Sequence, residues 1–478
     1  MIITRDIIRD DATFNTHSKH DLCEFINYWK VKLLDLGAKP GDKIGLSFDN
    51  AEIHYYAIIF AAFELGMRVI SLHRPNSEKE CLSPKSNAHL PLDYFVYLNH
   101  YLSSPLTSQA IRHFRKNSTH LISYGRLEWE TSCDSFRSSQ ETPVYAKPDD
   151  IAFCTTSSGT TGDPKLITYT HQFLYDLCHH NWKDLRYNDN DRMVHFSNLN
   201  HGGVITLLLP SLMICKEHHF KTFYHGFDTV YGYVKDCVKD NITKIFFANG
   251  GEVNCFLASM REHNVKMPDL SIFLLSFISP AWKEYIKNDH LKSIMSPFGC
   301  SEVCGPVFMP YMDINNVDTF NPKFLGKPLS GFYDTRIENN RIYTKVNGEE
   351  FVFDDIVNET QDGVYFVSKT RLKKINDIDI NPLDIVELVE KYYSRYLLEV
   401  YVDEVYNELY IISSSKSLHE MKEAIKSIVK SFYFGNVELT DIIYDPKLHD
   451  TLINHKADKD KLKGIVEKYR LTFHKNSL

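Results

Sequence analysis

Leu22, Phe25, Ile26, Trp29 and Leu33 recur at helical spacing and stop before Gly37, which predicts an amphipathic helix closed by a glycine. Pro40-Gly41-Asp42 reads as a turn and Lys43 to Phe48 as a short strand. Ile53, Tyr56, Ala57 and Phe60 mark the next helix, ended by Gly66, before a strand from Arg68 to Leu72. Asp150 to Cys154 and Leu166 to Thr170 read as two more strands, and Thr170 can cap a helix running through Phe173 and Leu177. Leu270 to Leu275 is another buried strand. Strands alternating with helices predict an α/β class with a largely parallel sheet.

Toward the C-terminus the pattern changes. Asn381-Pro382 reads as the start of a helix, with asparagine as N-cap and proline in its first turn. Leu397 to Asp403 and Glu408 to Ile412 alternate like a hairpin. Ser417 and Glu420 read as a capping box for a helix carrying Leu418, Met421, Ile425 and Ile428. The expected organisation is a large N-terminal domain of layered sheets and helices over residues 1–369. A small α+β module over residues 370–478 follows it.

Composition narrows the function classes. At 478 residues the chain is too long for one ordinary core. A net charge of -8 argues against a nucleic-acid partner. The most apolar runs, around Ile58 and Leu207, are interrupted by Glu64 and Pro210 and are too short to span a bilayer, so no membrane partner is expected. Met1 to Asp6 lacks a basic start followed by an apolar core, and the ten cysteines contain no CxxC pair; both point to a cytoplasmic protein with reduced thiols. Cys300 and Cys304 are four apart, but no second pair answers them as metal ligands. The adjacent pairs His179-His180 and His218-His219 point apart on any regular element and read as surface residues.

The densest chemistry lies in Thr155-Thr156-Ser157-Ser158-Gly159-Thr160-Thr161-Gly162-Asp163-Pro164-Lys165. Glycines let a backbone turn tightly, consecutive N–H groups in such turns cradle anions, and Lys165 adds a point charge suited to a phosphate oxygen. A surface linker has similar composition, but here the hydroxyls and glycines end abruptly in Asp-Pro-Lys between two apolar runs. The arrangement is strand–loop–strand, unlike a Walker-type loop, which opens a helix and carries its lysine directly after glycine.

At every position this segment resembles the phosphate-binding signature of the adenylate-forming superfamily. That superfamily comprises acyl-CoA synthetases, aryl-acid and nonribosomal-peptide adenylation enzymes, and luciferases. Other segments carry the same resemblance. Phe298-Gly299-Cys300-Ser301-Glu302, led in by Met295-Ser296-Pro297, is similar to the family's Tyr-Gly-x-Thr-Glu. Read physically, it offers a ring to stack a base, a glycine for close approach, a hydroxyl for phosphate and a carboxylate for Mg²⁺. Gly326-Lys327-Pro328-Leu329 resembles the turn that follows, and Leu199-Asn200-His201-Gly202-Gly203 the acid-pocket motif. Asp355 matches the aspartate that clamps the ribose diol, although Phe353-Asp354 replace the usual Thr-Gly before it. Lys369 stands where the family has arginine at its hinge, and Lys456, after His455 rather than glycine, stands where it has a C-terminal lysine. Lys459 is the alternative in that loop.

The resemblance implies a two-step ATP-dependent ligase. A small carboxylic acid attacks the α-phosphorus of Mg²⁺·ATP, and a thiol of coenzyme A or of a carrier protein's phosphopantetheine then takes the acyl group. It implies that Lys165, Thr156, Ser157, Ser158, Gly159, Thr160, Thr161 and Gly162 hold the phosphates and Glu302 the Mg²⁺. Phe298, Gly299, Ser301, Asp355 and Lys369 would hold the nucleotide. Lys456 would bridge acid and phosphate, and His201, Gly202, Ser276 and Pro297 would line the acid pocket. Peptide-synthetase enzymes place an aspartate where His201 stands, so an aryl or short acyl acid is expected rather than an α-amino acid. Phe277 and Ile278 replace the small residues that usually precede the base-binding motif. Two other readings stay open: an amino-acid adenylation enzyme, and a nucleotide-binding pseudo-enzyme.

Overall fold

The computed structural model describes residues 1–47, 53–71, 92–98, 120–124, 143–156, 166–181, 183–195, 202–221, 227–247, 250–274, 278–279, 282–329, 332–346, 348–369, 373–376, 378–380, 382, 385, 388–389, 398–413, 416–432, 436–445, 448, 452–453, 456–457 and 459–476. They form a mixed α/β fold, with a large N-terminal and a small C-terminal domain.

The first sheet has six strands in the order His120–Tyr124, Tyr94–Leu98, Lys43–Ser47, Arg68–Ser71, Ile151–Thr156 and Leu166–Thr170. All neighbours are parallel except the last pair. A second sheet of eight strands has a parallel centre of Leu291–Met295, Met267–Leu274, Lys244–Phe247, Arg192–His195 and Glu217–Phe220. A third, antiparallel sheet runs Phe324–Gly326, Val364–Lys369, Glu349–Glu359, Arg341–Val346 and Asp334–Glu338.

One continuous apolar core joins the three. Ile44, Leu46 and Val69 from the first sheet meet Phe246, Phe273 and Met295 from the second and Phe353, Val357 and Phe366 from the third. The helix Ile53–Glu64 lies within this core with every side chain buried. Its one charge is matched: Glu64 pairs with Arg5 at 2.6 Å and with Lys30 at 2.8 Å. Burial works against that carboxylate, yet Arg5 and Lys30 hold its pKa below the ordinary value. The other face of the eight-stranded sheet packs Ile245, Ile272 and Ile294 against the helices Phe227–Lys239 and Gly250–Glu262.

The helix Lys19–Asp35 starts on a Ser18–Asp21 capping box and buries Leu22, Ile26, Trp29 and Leu33. Gly37 follows it at φ +87°. In the C-terminal part, Leu398–Asp403, Glu408–Ser413 and Asp441–Tyr444 form a three-stranded sheet. Among the described residues its two apolar clusters draw only on residues from Ile375 to Tyr469. Among the described residues no helix is long and apolar enough to cross a membrane.

Two expectations need correction. His179 and His180 are exposed, but His218 and His219 are buried. They sit on the inner strand Glu217–Phe220, where neighbouring strands cover both faces' edges and Phe14 stacks on His218 at 5.3 Å. Ser417 is not an N-cap either, because the helix Lys416–Glu420 has already begun, and a second helix, Lys422–Phe432, follows Met421. The break turns Met421 outward, and Leu418, Ile425 and Val429 make the core face instead. Pro382 is helical, whereas its proposed cap Asn381 lies outside the described residues.

Candidate active site

Ile151–Thr156 and Leu166–Thr170 are antiparallel neighbours, with Thr156 opposite Leu166. The Ser/Thr/Gly segment therefore connects the two arms of a hairpin, as strand–loop–strand requires. Ser157, Ser158, Gly159, Thr160, Thr161, Gly162 and Lys165 lie outside the described residues, and Thr156 is described by its backbone alone. Beyond the second arm, Thr170 Oγ1 accepts from Phe173 N at 3.2 Å and caps the helix His171–Asn181.

Phe298–Cys300 pairs antiparallel with Gly305–Phe308, and residues 301–304 form the turn between them. Gly299 is required there for a reason the sequence does not show. A Cβ on it would lie 2.0 Å from the Gly305 carbonyl oxygen, so the partner strand itself excludes any side chain. The turn is closed by Val303 N to Cys300 O at 3.2 Å and by Cys304 N to Ser301 O at 3.1 Å, with Cys304 at φ +58°. Glu302 is exposed on this turn, while Val303 and Cys304 are fully buried. Burial and then the adjacent Glu302 carboxylate push the Cys300 thiol up, so it stays protonated.

Phe298 also joins two motif segments that are far apart in sequence. Its ring stacks on Phe353 at 6.1 Å and 21°, and meets Phe308 edge-on at 6.0 Å. Phe353 and Asp355 are two apart on Glu349–Glu359 and share its buried face, with Asp355 only 4% exposed. Asp354, between them, is the exposed one. The acidic pair is thus part of a strand rather than a solvated turn, and the departure at Phe353 supplies the ring that packs on Phe298.

The remaining candidates are placed more sparsely. Pro297 is half-buried before the Phe298 strand, and Ser296 beside it is buried. Gly202 opens the helix Gly202–Ile214. His201, Ser276 and Phe277 lie outside the described residues, and Ile278 is buried. Lys369 ends Val364–Lys369, and Lys456 begins the short strand Lys456–Ala457, whose partner is Leu452–Ile453 with Ile453 opposite Lys456. Only the backbone of these two lysines is described. Lys459 instead opens the helix Lys459–Asn476.

Two tyrosines escape a sequence reading. Tyr169 Oη donates a short hydrogen bond to the Ser301 carbonyl, and Tyr333 Oη donates to the Val303 carbonyl at 2.9 Å. Both rings are buried, and a tyrosine within an apolar strand carries no signal that its hydroxyl reaches a distant turn.

Mg²⁺ is held by one or two carboxylates together with substrate phosphates. An exposed Glu302 on a tightly bonded turn fits that donor set. Among the described residues no group of three or more His, Cys, Asp or Glu could hold a metal by protein ligands alone.

The family profile described as AMP-binding enzyme matches residues 31–350, a stretch that contains the Ser/Thr/Gly segment, the Phe298 hairpin and the Glu302 turn. The chain belongs to the AMP-binding enzyme family. It is an adenylate-forming ligase by that membership. Its fold is similar to the McyG A-PCP structure complexed with phenylalanyl-adenylate, at 16% identity and a TM-score of 0.78, over 98% of this chain and 96% of that one. The anthranilate CoA ligase AuaEII, in complex with anthranoyl-AMP, matches at 14% identity and 0.74, over 97% of each chain. The O-succinylbenzoate coenzyme A synthetase MenE from Bacillus subtilis, in complex with ATP and magnesium ion, matches at 15% identity and 0.69, over 93% of this chain and 94% of that one. No curated protein matches this family member.

Proposed function

We propose that this AMP-binding enzyme joins a carboxylic acid without an α-amino group to a thiol through an acyl-adenylate. The acid's carboxylate oxygen attacks the α-phosphorus of ATP, the bond to pyrophosphate breaks, and acyl-AMP forms. A thiol of coenzyme A or of a carrier-protein phosphopantetheine then attacks the acyl carbon, and AMP leaves. In the first step the nucleophile is already an anion, so the protein's task there is to position it and neutralise charge rather than move protons; in the second the thiol gives up its proton as the thioester forms.

The observation that carries this reading is the stack of Phe298 on Phe353 with Asp355 on the same buried face, beside the turn that exposes Glu302. Phe298 and Gly299 would face the adenine, Asp355 the ribose, and Ser301 the phosphates. Glu302 would hold Mg²⁺, which neutralises phosphate charge when bound. Thr156, the loop hydroxyls and Lys165 would grip the triphosphate, with Lys369 and Lys456 closing on the nucleotide from the C-terminal side. Residues 370–478 would turn as a unit about a boundary at Lys369 between the two half-reactions.

His201, Gly202, Ser276 and Pro297 would line the acid pocket. Solved neighbours carry an amino-acid adenylate in one case and an aryl adenylate in another, so the shared fold does not choose between them. His201 in the place of an aspartate does, because a buried ammonium without a partner is costly. Pyrophosphate exchange across a panel of aryl, short acyl and α-amino acids tests this. Exchange is expected with one of the first two classes; a response confined to α-amino acids would overturn the substrate assignment, and no exchange with any acid would favour a nucleotide-binding pseudo-enzyme.

A further inference from the structure

We infer that Tyr169 and Tyr333 are positioning residues that fix the Glu302 carboxylate for the metal–nucleotide complex, by gripping the backbone on both sides of it. The inference rests on the reading of Glu302 as the Mg²⁺ ligand.

The two hydroxyls bind the carbonyls of Ser301 and Val303, the residues immediately before and after Glu302. They come from different parts of the chain. Tyr169 lies on Leu166–Thr170, the arm that starts directly after Lys165. Tyr333 lies just beyond Gly326-Lys327-Pro328-Leu329, a segment itself tied to the hairpin by Leu329 N to Val307 O at 2.8 Å. The strand that leaves the phosphate loop is therefore bonded directly to the turn that carries the carboxylate.

These two bonds tie the carbonyls of the turn to segments outside the hairpin. The turn's own N–H groups point inward to Cys300 and Ser301, and its left-handed residue is a cysteine rather than a glycine. The exposed Glu302 side chain takes its aim from the backbone beneath it. A displacement approaching 1 Å at such a group costs up to about a hundredfold. Burial keeps both phenols well above their ordinary pKa, so they act as donors throughout the working pH range. Tyr169 also has the Cys304 thiol beside its hydroxyl.

The test measures ATP affinity of the whole protein by calorimetry, once with excess Mg²⁺ and once with EDTA. The ratio of the two dissociation constants is the contribution of the metal. Glu302→Gln should reduce that ratio to near one. Tyr169→Phe and Tyr333→Phe should each cut it about tenfold while leaving affinity in EDTA unchanged. Tyr187→Phe is the matched control, since it removes an equally buried hydroxyl-to-carbonyl bond, to Leu207 at 3.1 Å on the helix Gly202–Ile214 rather than on the turn; its ratio should equal wild type.

If Glu302→Gln loses the ratio while both tyrosine variants keep it, the positioning inference is overturned and the Glu302 reading stands. If Glu302→Gln keeps the ratio, the Glu302 reading falls and the inference falls with it. If Tyr187→Phe shifts the ratio as much as the others, the effect is general loosening and the inference is likewise overturned. Should Tyr169→Phe not fold, Tyr333→Phe decides alone.

Discussion

Asp355 and Lys369 stand directly opposite each other as Cα partners across the antiparallel strands Glu349–Glu359 and Val364–Lys369. Asp355, proposed for the ribose, and Lys369, proposed to close on the nucleotide, are thus cross-strand neighbours in one sheet, although fourteen positions of chain, numbered 355 to 369, separate them. Lys369 is also the last residue before the boundary proposed for the mobile part.

Asp355→Asn keeps the shape of the side chain and removes its charge. Hydrogen bonds to a charged group contribute about 1.5–3 kcal/mol, so ATP affinity should fall roughly ten- to a hundredfold. Calorimetric titration with ATP measures it. Unchanged affinity would remove Asp355 from the nucleotide site.

Lys456 begins a strand before the last helix, whereas Lys459 belongs to that helix. Lys456→Ala should slow acyl-adenylate formation about a hundredfold, the usual effect of losing one preorganised donor to developing charge. Transfer of the acyl group from supplied acyl-adenylate to the thiol should stay near wild type. Lys459→Ala should leave both steps alone; if it instead carries the defect, the C-terminal lysine is Lys459.

Thr370→Pro fixes φ at the proposed hinge and disfavours helical geometry at Lys369. If residues 370–478 turn between the half-reactions, thioester formation should slow more than pyrophosphate exchange. Stopped assays of each half-reaction on one preparation separate the two. An equal loss in both, at unchanged melting temperature, argues against a hinge at this boundary.

Acid should destabilise the protein through its buried histidines. His218 is pushed down to about 3, chiefly by burial, and His195, with Nε2 3.4 Å from His218 Nδ1, is also held well below its ordinary value. Both are neutral in the folded protein and bind protons more readily when unfolded. Stability is therefore intact above about pH 6.5 and is lost as pH falls from there toward 3, by up to about 1.4 kcal/mol per pH unit for each histidine. His218→Phe, which can keep the stack on Phe14, should flatten the acid limb of a urea-melt series between pH 6 and pH 4. A limb as steep as wild type would assign acid lability to other groups.

Much of this protein is legible from local pattern, because local pattern reports what neighbouring residues do to one another. Apolar spacing locates the helices Lys19–Asp35 and Ile53–Glu64, and the two strands that flank the phosphate loop follow from short β-branched runs. The clustering of glycine and hydroxyl residues before Lys165, with Phe298 to Glu302 further on, carries the family resemblance that implies the chemistry. What one dimension lacks is the far partner. His218 and His219 read as surface because no local feature shows that their strand has neighbours on both sides. Ser417 fits a capping box by spacing, but the helix starts earlier and breaks at Met421. Phe353 reads as a defect in a motif until the fold lays it on Phe298. Gly299 reads as room for a ligand, whereas the Gly305 carbonyl is what forbids a side chain there. The sequence by itself determined many of the elements, since these depend on residue type and spacing, and its motifs carried the family resemblance that implies the reaction class. Only the tertiary structure decided that Tyr169 and Tyr333 grip the Glu302 turn and that Asp355 faces Lys369, because those are contacts between segments whose separation along the chain says nothing of their distance in space.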